Sequence, residues 1–124
     1  MKRRSINPTG TGWAHGHEIS NDSRILFISG QVPEASDGSV PKDFLSQCRL
    51  VWANIERQLI GANMTLDNLA KMTIFLSDRR YIQEAYQVRS EVLKGNTVPP
   101  AMTIIITGIY DEAWLLEIEA IAAS

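Results

Sequence analysis

Residues 99–122 read PPAMTIIITGIYDEAWLLEIEAIA, and this stretch decides the fold. Two strand-like segments, Ala101 to Thr107 and Trp114 to Ala122, flank a connection from Gly108 to Ala113 that is rich in turn formers, the pattern of an antiparallel β-hairpin. Side chains alternate across a strand, so Trp114, Leu116, Ile118, Ala120 and Ala122 share one face, and Leu115, Glu117, Glu119 and Ile121 share the other. A strand on the surface of a monomer presents one polar face. Here the second face mixes two carboxylates with Leu115 and Ile121, so Glu117 and Glu119 need partners. They either form ion pairs at an edge or interface, or one of them is catalytic.

Upstream, Leu69 to Leu76 reads as a strand with Met72, Ile74 and Leu76 on one face, followed by a helix from Arg79 to Lys94 capped by Ser77 or Asp78. The inner stripe of that helix is Tyr81, Ala85, Val88 and Val92. Gly95 and Asn96 end it, and Pro99-Pro100 imposes extended backbone before the last pair of strands. Between Pro41 and Leu59 the apolar residues Phe44, Cys48, Val51, Ile55 and Leu59 recur at helical spacing, with Pro41 in the first turn, Gly61 at the end and Trp52 packing beside the stripe. Arg24 to Ile28 is an apolar run ending at Ser29-Gly30-Gln31, the pattern of a strand covered on both sides. Residues 3–7 predict a short edge strand, and residues 13–20 a second strand with an irregularity at Gly16. Asn21, Asp22 and Ser23 are expected to turn the chain between that strand and the apolar run.

Strand, helix, strand, helix, strand implies parallel pairing through right-handed crossovers, with both helices on one side of a mixed sheet. The other side, carrying Phe75 or Thr73, Ile105 or Met102, Leu115 and Ile121, is left bare. An identical subunit is the simplest cover for it.

Length and composition agree with a single α+β domain over residues 1–124 that folds without cofactor or metal. A net charge of −2 makes nucleic acid a poor partner, because the one basic cluster is Lys2-Arg3-Arg4. No apolar run is long enough to cross a bilayer, and Ser5 to Gly10 breaks any export signal, so a soluble, cytoplasmic protein is expected. The single cysteine, Cys48, fits a reducing compartment and falls on a buried helix stripe.

Pro100-Ala101 before an apolar strand, Glu117-Ile118-Glu119-Ala120-Ile121-Ala122 in the last strand, Ser29-Gly30-Gln31 with Asp37-Gly38 beyond it, and Gly12-Trp13 together resemble the reactive-intermediate deaminase family, RidA, also called YjgF or L-PSP. The resemblance spans about residues 3 to 122. It implies a chorismate-mutase-like fold, a homotrimer with small-molecule clefts between subunits, and hydrolysis of reactive enamines and imines. It further implies Glu117 and a backbone carbonyl near Ile104 at the attacking water, and Trp13, Gly30, Met102, Thr103 and Ile104 around the substrate. The family motif Pro-Ala-Arg-Ser reads Pro100-Ala101-Met102-Thr103 here. The arginine that grips a substrate carboxylate is thus replaced, which implies an altered specificity. Arg24, Arg79 and Arg80 are candidates for a substitute cation, and a non-catalytic ligand-binding or regulatory trimer is the alternative function. His15 and His17 share a strand face, but no further histidine and no cysteine pair completes a zinc set, so exposed strand histidines are expected.

Overall fold

The computed structural model describes residues 2–20 and 24–124. The turn expected at Asn21 to Ser23 lies outside the described residues. Six strands, β1 (Lys2–Pro8), β2 (Ala14–Ser20), β3 (Ile25–Gln31), β4 (Leu69–Leu76), β5 (Ala101–Ile106) and β6 (Leu116–Ala123), form one mixed sheet in the order β1-β2-β5-β4-β6-β3. Two helices, α1 (Phe44–Gly61) and α2 (Ile82–Val92), pack against each other over one face.

The last two strands are not a hairpin. β4 lies between them, parallel to β5 and antiparallel to β6. The crossover through α2 returns the chain beside β4 and so uses up that edge, which leaves β6 only the opposite edge. The connection therefore passes over the end of β4, where Thr107 N–H donates to Leu76 O at 2.9 Å and Ser77 N–H to Leu115 O at 3.0 Å. Buried Gln47 fixes this crossing from α1. Its amide donates to Pro41 O and Ala113 O, and its Oε1 accepts from Leu115 N–H, all within 2.8–2.9 Å.

The alternation in β6 has the expected consequence: Leu116, Ile118, Ala120 and Ala122 are buried beneath the helices with Met72, Ile74 and Leu76 of β4. From α1 come Phe44, Cys48, Val51, Trp52, Ile55 and Leu59. Pro41 precedes α1 rather than opening it. Asp43 is its N-cap and accepts from Ser46 N–H at 3.0 Å, because a carboxylate can serve an orphan N–H that proline lacks any group to bind. In the second helical region, residues 79–81 form a tight 3-10 turn capped by Asp78 before α2 begins.

β3 is an edge strand and not a strand covered on both sides. It pairs only with β6, and Ile25 and Phe27 stand 53% and 74% exposed. Its second apolar face belongs to the side of the sheet that no helix covers. Gly16 shows no break of register either: β1 and β2 pair continuously across it, and its missing Cβ makes room for Ile6, whose own Cβ would lie 3.1 Å away.

Candidate functional site

The expected site residues fall into two groups on opposite faces of the sheet. Met102 and Ile104 lie opposite Met72 and Ile74 in register, on the face that carries the helices. With Trp13 and Arg89 they line a cleft of about 320 Å³. Its mouth follows from a narrow junction. β2 meets β5 only at Ala14 and Ala101, with Ala14 N–H donating to Pro100 O at 2.9 Å, so the outer edge of β5 beyond Ala101 has no strand partner among the described residues. The backbone near Ile104 is thereby left available to a ligand.

Gly30 and Glu117 form the second group, on the uncovered face, where Glu117 sits across from Phe75 and Glu119 across from Thr73. β3 shifts register against β6 between Ile28 and Gln31, and this brings the Gly30 backbone directly over the Glu117 side chain. Of the two alternatives for Glu117 and Glu119, ion pairing within the chain finds no partner among the described residues, although Lys71 lies on the same face. Lys71 Nζ instead donates to Thr103 Oγ1 at 2.9 Å, which places Thr103 on the Glu117 side and away from Met102. Phe75, Thr107 to Tyr110, Glu117 and Glu119 border a shallow hollow of about 290 Å³.

Arg24, Arg79 and Arg80 do not reach the Met102 cleft. Arg24 is spent on Ala62 O at 2.6 Å and Ser124 Oγ at 2.9 Å, Arg80 stands over the Tyr81 ring, and Arg79 is exposed on the 3-10 turn. The cation in the cleft is Arg89 of α2. Its spacing held the signal, since it follows Ala85 by one helical repeat and so falls on the inner stripe.

Of the two histidines, His15 is exposed and packs against the Trp13 ring at 4.8 Å between centroids. His17 is half-buried rather than exposed. Its Nε2 accepts from Arg3 Nε at 3.1 Å while Nδ1 faces Pro99 O at 3.1 Å, so neither ring nitrogen is left for a metal. Cys48 is buried and its thiol is pushed up to about 12 by desolvation, with the Arg49 charge opposing, which removes it as a nucleophile. No helix is long and apolar enough to cross a membrane among the described residues.

The family model described as Endoribonuclease L-PSP matches residues 12–124. Protein HMF1 of Saccharomyces cerevisiae is 29% identical over 120 residues, which cover 96% of this chain and 89% of the relative. The RutC family protein YjgH of Escherichia coli is 30% identical over 112 residues, covering 86% of each. Among solved structures, the Rid family protein YyfB from Yersinia pestis superposes with a TM-score of 0.87 at 26% identity, over 100% of both chains. Escherichia coli TdcF, solved with bound serine, shares the fold at a TM-score of 0.76 and 24% identity, over 98% of this chain and 94% of that one. On this match, and with the mixed sheet and helix pair of the chorismate-mutase-like fold, the chain belongs to the L-PSP family, which is also the RidA/YjgF family.

Proposed function

We propose that the protein hydrolyses the C=N bond of a reactive imine, or of the enamine that tautomerises to it, at a cleft between subunits of a cytoplasmic homotrimer. The observation that carries this reading is the Glu117 carboxylate. It is half-buried, free of ion pairs among the described residues, and held against the Gly30 backbone on a sheet face that lacks a helical cover. A carboxylate so placed is suited to moving protons at a bound water.

The sheet itself separates Glu117 from the Met102 cleft, so one subunit cannot present both to one ligand. A neighbouring copy that covers the apolar residues Phe27, Phe75, Ile105 and Ile121 brings the Glu117 face of one subunit against the open β5 edge of the next. Glu117 then takes a proton from water as its oxygen attacks the imine carbon, and returns it to nitrogen. The carbinolamine then collapses to a carbonyl as its hydroxyl proton passes through Glu117 to the amine, and ammonia leaves. Positioning and one proton shuttle are all this reaction asks of the protein. The putative reactive intermediate deaminase TdcF of Escherichia coli is 28% identical over 101 residues, which supports the same class here. Met102, in place of the family arginine, gives the cleft an apolar wall and an altered specificity.

The test is ammonia release from imines generated in situ by an amino-acid oxidase, with light scattering on the same samples. Glu117→Ala should abolish enzyme-dependent release and leave the assembly mass unchanged. Full turnover in that variant overturns the reading.

A further inference from the structure

We infer that Arg89 is the anion-binding group of the cleft beside Met102, and that the ligand it receives is a small carboxylate with an apolar or aromatic body. Arg89 is only 6% exposed, a rare state for an arginine without a carboxylate partner. Its side chain makes no hydrogen bond or ion pair among the described residues, and its Nε is buried with no acceptor. Its guanidinium stacks on the Tyr86 ring, whose centroid lies 4.9 Å from Cζ. Stacking occupies a face of the guanidinium and leaves the in-plane N–H groups unserved.

Burial lowers the pKa of Arg89 from its usual value, while the neighbouring Tyr86 and Cys48 act in the opposite direction. An arginine nonetheless stays protonated at neutral pH, so a desolvated positive charge persists where no carboxylate among the described residues pairs with it. Such a charge is costly to maintain unless a ligand completes it.

The cleft tells which ligand. Trp13, Met102 and Ile104 form its remaining walls, so among the described residues Arg89 is the one charged lining residue. A single guanidinium matches a monoanion through a planar, two-point fork, whereas a phosphate dianion would call for a second cation. The indole of Trp13 and the side chains of Met102 and Ile104 suit a flat or aliphatic body. In this chain the carboxylate grip has thus moved from the strand to the helix.

The inference deepens the proposed reaction and rests on its choice of cleft, but it is read by binding and not by turnover. The experiment is isothermal titration of the wild-type assembly and of Arg89→Gln, Arg89→Lys and Met102→Glu with three probes: benzoate, its uncharged counterpart benzamide, and inorganic phosphate. Wild type should bind one benzoate per subunit, with benzamide and phosphate weaker by about tenfold or more. Arg89→Gln should lose a similar factor for benzoate and Arg89→Lys should keep part of it. Met102→Glu supplies an internal carboxylate to Arg89. It should block benzoate while preserving the fold, and it decides the matter if Arg89→Gln does not fold. Absent benzoate binding in wild type, equal binding of benzamide, tighter binding of phosphate, or undiminished affinity in folded Arg89→Gln or Met102→Glu would each overturn the inference. Benzoate binding retained by a Glu117→Ala protein that releases no ammonia supports it independently of the catalytic assignment.

Discussion

Gly30 and Glu117 compete for one space on the uncovered face of the sheet: a Cβ on Gly30 would lie 2.8 Å from the Glu117 Cδ and 3.1 Å from its Cγ, and would collide with the carboxylate oxygen. The glycine is thus required for close approach, not for an unusual backbone angle.

Gly30→Ala should therefore destabilise the protein by about 0.5–1.5 kcal/mol as the flexible Glu117 side chain is forced off its rotamer. Adding Glu117→Ala to it should recover most of that loss, because the second change deletes the colliding atoms. Urea unfolding of the two single variants and the double variant forms the cycle. Strictly additive losses would show that the two residues do not press on each other.

Phe27 is 74% exposed beside Ile121, its cross-strand neighbour on the uncovered face. If a second copy covers this face, Phe27→Asp should convert the assembly to monomer with little loss of helix by circular dichroism, since Phe27 does not touch the helix-covered core. A monomer already in the wild type across micromolar concentrations by light scattering would remove the inter-subunit cleft from the proposal.

Asp67 provides a pH test. Burial raises its pKa, but the Thr97 hydroxyl, the Val98 and Thr97 N–H groups and the Arg3 charge outweigh burial and hold it below its usual 3.8. A carboxyl depressed in the folded state adds stability that is complete above the unfolded value and is lost as pH falls through the folded one. Asp67→Asn should lower the melting temperature at neutral pH and flatten its decline below about pH 4, so that the two curves converge in acid. Asp37 and Asp43, also depressed by nearby serines, are present in both proteins and cancel in the comparison. A constant difference between the curves at every pH would refute the role of Asp67.

Met102→Arg restores the family residue but sets a second guanidinium beside one that is already buried and unpaired. The expected result is a loss of about 1–2 kcal/mol without ligand, and a larger rise in melting temperature with benzoate than wild type shows, by mass action. Equal ligand-free stability of the two proteins would mean that the side chains do not share a desolvated cleft.

The sequence is explicit about faces and silent about partners. Alternation placed Leu116, Ile118, Ala120 and Ala122 inward correctly, because a period of two fixes which face a residue joins. It carries no information on which strand lies alongside, so the turn formers between β5 and β6 suggested a hairpin where β4 intervenes. The same limit applied to β3, whose two apolar faces fit a central strand as well as an edge awaiting a cover. At the site, Glu117 was legible as a carboxylate on a partly apolar strand face and Gly30 as a residue whose missing Cβ permits close approach, but their contact depends on a register shift that no local pattern announces. Arg89 was legible by spacing but reads as a polar helix residue until its lack of a partner is seen.

The topology also sets an order of events during folding. Among the described residues β3 has no strand partner except β6, and Ile25 must find Ala123 across almost the whole chain. β4 and β5 are close in sequence through α2 and can associate early, whereas β3 waits as an unsatisfied edge bearing Ile25 and Phe27 until β6 slots between it and β4. Insertion of a late strand between two earlier ones makes the barrier one of chain search, so refolding should be slow for a chain of this size. The transient species exposed to aggregation is the one in which the β6 slot is still vacant.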